Sequence, residues 1–124
     1  TNTWMVGPKT MEEHIIPCFE ASGNYSPEIV AGMPIVLTNN IDHAKESIGK
    51  SLAVYGQLPS YRAMLDREGA VGPADIAIIG DENKLGGEIK RLESLGVTDF
   101  NAAIMDVEDG AYHRTLEFLG SLRP

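Results

Sequence analysis

The chain has 124 residues and a mass of 13.4 kDa, enough for one modest core and too little for two. Lysine and arginine total 10 against 18 acidic residues, a net charge of −8, which disfavours a general binder of nucleic acid or anionic membrane. No apolar run reaches the roughly 18 residues needed to cross a bilayer, and the single cysteine excludes an intrachain disulfide and a cysteine-based zinc site and fits a reducing, cytoplasmic setting.

Residues 2–6 (NTWMV) form a strand candidate closed by Gly7-Pro8. Thr10-Met11-Glu12-Glu13 reads as a capping box opening a helix to about residue 21, with Ile15, Ile16 and Phe19 on its apolar side. Pro17 removes a backbone donor and should kink this helix, and Gly23-Asn24 closes it. Residues 28–38 (EIVAGMPIVLT) are nearly all apolar, as in a strand covered on both faces of a parallel sheet. Gly32 and Pro34 within them suggest a bulge or an edge.

Asn39-Asn40 can cap a helix in which Ile41, Ala44, Ile48 and Leu52 recur at helical spacing. Leu58-Pro59 starts a further helix to Arg67, stopped by Gly69. Residues 76–79 (IAII) are too short to assign by period. Gly80-Asp81 then opens a helix with Leu85, Ile89, Leu92 and Leu95 on one face, ended by Gly96. Residues 99–105 (DFNAAIM) are a third strand. Asp109 is expected to cap a last helix over residues 110–122 that buries Leu116, Phe118 and Leu119.

Strands separated by helices predict an α/β fold with about three parallel strands. A (β/α)8 barrel takes about 250 residues, so the length suits one partial domain, the C-terminal half of such a barrel. The G-x-G-x-x-G fingerprint of a dinucleotide-binding unit is missing after the first strand. The chain starts at Thr1 rather than Met, which is expected of a processed start or a piece of something longer.

The residues that could carry chemistry are few. Gly7-Pro8-Lys9 follows a strand and precedes a helix, where free amides and a lysine suit an anion, although a plain turn with a solvated lysine competes. Arg114 lies early in the last helix, as an anion contact or a surface ion pair with Glu117 or an aspartate. Asp81 and Glu82 would repel an anion, so Asp81 reads as a cap. Tyr55, Pro59 and Tyr61 suit a substrate pocket, a subunit interface or core packing. His14, His43 and His113 have no ligand spacing, so no metal is expected, and Cys18 reads as a small buried side chain. Asp106, Glu108 and Asp109 cluster after the third strand, where one could act as an acid/base in a full site, but caps and turn acids are the commoner reading, and no residue is assigned a catalytic role.

The run from Thr3 to Thr10, followed by Glu12, Glu13, His14 and Pro17, resembles the sixth βα unit of luciferase-like oxidoreductases, in the branch using the deazaflavin coenzyme F420. The block from Ala53 to Arg62, with Gly72-Pro73-Ala74-Asp75, Ile79-Gly80-Asp81-Glu82, Gly96-Val97-Thr98-Asp99-Phe100 and the tail Arg114-Thr115 with Ser121-Leu122-Arg123, is similar to an actinobacterial-type subgroup. The resemblance implies a barrel enzyme moving a hydride between F420 and a small organic substrate. It implies Val6, Gly7, Pro8 and Lys9 as cofactor-binding residues and Lys9, Arg114, Tyr55 and Tyr61 as substrate-binding ones. It also implies that most coenzyme contacts lie in an N-terminal half that this chain lacks, so the chain alone should be inactive. A sugar-phosphate oxidiser in the family carries a lysine near the position of Pro73-Ala74-Asp75-Ile76, where this sequence offers an acid. The alternatives are an FMN-dependent luciferase-like monooxygenase and a non-catalytic half-barrel that pairs through its strand edges. A homo-oligomer or a missing N-terminal half is the expected partner.

Overall fold

The computed structural model describes residues 1–122; Arg123, part of the tail motif, lies outside the described residues. Four parallel strands form the sheet: β1 (Asn2–Trp4), β2 (Val30–Leu37), β3 (Ile78–Gly80) and β4 (Asp99–Ile104). The extra strand is the short apolar segment that periodicity left unassigned. Around the sheet run α1 (Pro8–Thr10), a π-helical turn (Met11–Ile15), α2 (Ile16–Ala21), α3 (Ile41–Ser51), α4 (Pro59–Glu68), α5 (Glu82–Ser94) and α6 (Ala111–Ser121). Short 3-10 turns cover Ala53–Gln57 and Pro73–Asp75.

Strand β1 ends sooner than its composition suggests, because Met5 takes a left-handed backbone with φ 56°. That conformation is costly for a bulky residue, and here it turns the chain toward the first helix while Met5 stays fully buried. Segments α1, the π turn and α2 run on without a break. The amide of Ile16 reaches back five residues to the carbonyl of Met11, so the irregularity expected at Pro17 becomes a widened turn just before it. The capping box at Thr10 does not form. Pro8 opens the helix two residues earlier, leaving Thr10 inside it with no side-chain cap bond.

Strand β2 is the centre of the sheet, which corrects the expectation of a bulge or an edge. Its register with β4 is unbroken from Val30 opposite Asp99 to Ile35 opposite Ile104. Its other edge is shared: β1 pairs with Val30 to Gly32, and β3 pairs with Ile35 to Leu37. Backbone polarity explains the proline. Gly32 and Thr38 bond toward β1 and β3, through Met5 N–H to Gly32 O and Thr38 N–H to Gly80 O. Ile29 and Ile35 bond toward β4, through their carbonyls to Asp99 and Met105 N–H. Pro34 has the first parity, so its missing donor falls between the end of β1 and the start of β3.

Residues paired across parallel strands share a face. Ala31, Met33, Ile35 and Leu37 join Ile78 and the partly buried Phe100, Ala102 and Ile104 on the face packed by Met11, Leu85 and Leu92. The opposite face carries Val36 and Ile79 beneath Ala44 and Ile48 of α3. Farther down it becomes small and polar, with buried Gly32 opposite exposed Asn101. Asn40 and Asp81 cap α3 and α5 as expected, accepting from the amides of His43 and Lys84 at 3.3 and 2.9 Å. Helix α6 departs from expectation: Gly110, at φ 81°, is its N-cap in place of Asp109, and Leu116 is half exposed. Cys18 is exposed, not buried, because it lies on the outer side of α2.

Thr115 ties α6 to the sheet. Its fully buried Oγ1 accepts from Leu37 N–H at 2.9 Å and donates to the Ala111 carbonyl at 2.7 Å. Thr115→Val keeps the shape and strands the Leu37 amide, an expected loss of about 1–3 kcal/mol. Urea unfolding of the two proteins checks this.

Candidate functional site

Ligands of parallel α/β sheets bind outside the carboxyl ends of the strands. Here that end carries Thr38, Asn39 and Asn40 after β2, Glu82 after β3, and Glu108 after β4. Together with Arg114 of α6 they line a cleft of about 630 Å³. Glu108 is its central group. One carboxylate oxygen accepts from the Thr38 hydroxyl, and the other lies 3.6 Å from Arg114 Nη2. Arg114 Nη1 also donates to the Asp109 carbonyl at 3.2 Å. Arg114 does form a part-exposed ion pair as expected, but with Glu108 rather than with Glu117 or an aspartate; Glu117 lies against His113 at 3.0 Å.

The loop after β1 has a different arrangement. Gly7 is buried, and the amides of Lys9 and Thr10 both donate to the carboxylate of Glu68 from α4, the Lys9 bond at 3.3 Å. The helix start that the sequence offers to an external anion is thus capped by the chain's own carboxylate. A side chain on Gly7 would overlap that carboxylate. The Lys9 ammonium is exposed and has no ion-pair partner among the described residues.

Tyr55 and Tyr61 are brought together beside this loop. Their ring centroids are 5.0 Å apart, edge to face, and Tyr55 meets Trp4 at 6.3 Å. The cluster packs on buried Met5, Met64 and Leu65. Burial, and then the neighbouring Tyr55 phenol, push the Tyr61 phenol above the usual tyrosine value. Trp4, Val6 and Tyr61 also line a shallow groove of about 290 Å³.

The proposed site residues therefore fall into two groups on opposite edges of β2. Val6, Gly7, Pro8, Lys9, Tyr55 and Tyr61 stand on the β1 side, and Arg114 on the β4 side. Sequence reasoning did not single out Glu68 or Thr38, and it read Asn39, Glu82 and Glu108 as a cap or as acids rather than as members of one cleft. For the cleft, the signal was position, each lying within four residues after a strand. For Glu68 there was none, because its partners lie 58 and 59 residues away. Among the described residues no helix is long and apolar enough to cross a membrane.

No protein-family model and no curated protein matches the chain. Among solved structures, the chain is similar to an F420-dependent secondary alcohol dehydrogenase in complex with an F420-acetone adduct. The TM-score is 0.66 at 17% identity, over 99% of this chain and 42% of that one. The likeness shows the fold, and this chain spans less than half the length of that enzyme.

Proposed function

We propose that this chain is part of an oxidoreductase that moves a hydride between the deazaflavin coenzyme F420 and a small organic substrate. The observation that carries the reading is the overlay of almost the entire chain on part of an F420-dependent dehydrogenase. The order of motifs that resembles the F420-using luciferase-like branch supports it independently. F420 is a two-electron carrier, so the protein's task is to bind, orient and exclude water.

The fit of this chain's residues to the coenzyme is partial. The amides that would receive a coenzyme phosphate hold Glu68, and among the described residues no aromatic side chain lines the cleft at Glu108 to stack on a ring. In this reading the ring and most of its contacts belong to polypeptide beyond the matched length. Val6 to Lys9 remain the coenzyme side of this chain through the free Lys9 ammonium. Arg114, Tyr55 and Tyr61 are its substrate side, and the protein works in the cytoplasm.

The test is titration of the protein expressed from its complete reading frame with F420 and then with FMN, followed by coenzyme fluorescence. Saturable F420 binding without FMN binding is expected. The reverse result would move the chain to the FMN-dependent monooxygenases. A second reading, an assembly module, draws on the sheet itself: the outer edges of β1 and β4 are unpaired among the described residues. Sedimentation of the 124-residue chain bears on it, since a well-behaved monomer would exclude self-pairing.

A further inference from the structure

We propose that the cleft around Glu108 binds a neutral, hydroxyl-rich small molecule, and that Glu108 is the specificity-determining residue that turns away phosphorylated or carboxylated analogues. The inference rests on the reading above only in calling that molecule the substrate. Arg114 alone would attract an anion, but Glu108 stands 3.6 Å from its guanidinium. Glu108 is also held there by the Thr38 hydroxyl, so the pairing is fixed from two sides. Glu82 lines the same cleft and adds a second negative charge, leaving two carboxylates against one guanidinium. An incoming phosphate would have to break the pair and then face both carboxylates in a protein whose net charge is already −8.

What remains free in the cleft is a mixture of donors and acceptors. Among the described residues neither the Asn39 side chain nor the Glu82 carboxylate has a hydrogen-bond partner within the chain. Asn40 uses only its oxygen, on His43 N–H at 3.3 Å, so its amide nitrogen can still donate. A hydroxyl both donates and accepts, so adjacent hydroxyls match alternating amides and carboxylates better than any single-signed group does. Among the described residues no aromatic side chain lines the cleft, so its recognition falls to hydrogen bonds.

The experiment is amide and side-chain NMR titration of the protein expressed from its complete reading frame with sorbitol and, separately, with sorbitol 6-phosphate, in the absence of coenzyme. Sorbitol should bind in the millimolar range, shift the side-chain amides of Asn39 and Asn40, and bind about tenfold more tightly than its phosphate ester, a factor that corresponds to about 1.4 kcal/mol. Glu108→Gln should invert that order by releasing Arg114. Glu82→Gln lies outside the Thr38–Glu108–Arg114 contacts and should keep the fold while narrowing the preference, which guards against an unfolded Glu108 variant. Tighter binding of the phosphate ester to the unaltered chain, shifts confined to other surfaces, or no binding of either compound would overturn the proposal. Because no coenzyme is present, a failed F420 titration leaves this result standing, and a failed sorbitol titration leaves the coenzyme reading standing.

Discussion

Ile35→Ala should lower the unfolding free energy by about 2–5 kcal/mol, the range for deleting a fully buried aliphatic side chain. Ile35 is at 0% exposure in the one strand that touches every other strand. It stands opposite Ile78 on one side and Ile104 on the other, under the helices that cover that face. The surroundings are held by two ladders and cannot collapse into the space, which favours the upper part of the range. A domain of this size is stable by about 5–15 kcal/mol, so the loss is a large share of the total. Ile35→Val at the same site should cost only about 0.5–1.5 kcal/mol. Denaturant midpoints at constant slope would measure both. Equal midpoints for Ile35→Ala and the unaltered chain would mean that this face is not a packed core.

The second large effect is expected at Gly7. Its backbone, φ −70° and ψ 160°, is open to any residue, so the only objection to a side chain is what it meets. It meets the Glu68 carboxylate. The carboxylate is the far end of a flexible side chain and can swing aside, so Gly7→Ala should cost chiefly the lost cap, about 0.5–2 kcal/mol. A double-mutant cycle isolates the same contact. Once Glu68 is alanine, adding Gly7→Ala should be almost free, and the coupling should appear in urea midpoints. Additive costs would show that something other than Glu68 confines Gly7.

The sequence made much of this legible where the determinants were local. The caps at Asn40 and Asp81, the stop at Gly69 and the apolar spacing of α3 and α5 each depend on residues within a turn or two, and all appear except Ile41 at the head of α3, which stays exposed. The parallel β/α order was legible for the same reason. What escaped depended on distant partners. Three residues of β3 carry no period of their own and are a strand only because β2 has a free stretch of edge beside them. Pro34 signals an edge in isolation and sits centrally because two short neighbours meet at it. The Thr10 capping motif lost to Pro8 and to a carboxylate supplied by Glu68 from α4. At the site, the types of residue were readable, but the pairing of Arg114 with Glu108 rather than Glu117 was a matter of tertiary placement.

The divided edge of β2 also bears on how the molecule loosens. Backbone amides facing β4 answer to one continuous neighbour. Those facing the other way answer to two unrelated pieces of chain, separated at Pro34 by a place with no proton to protect. Either piece can therefore detach while the other stays zipped. Local opening at the start of the chain need not be felt at Gly80, and solvent proton exchange along a single strand is governed by two independent latches.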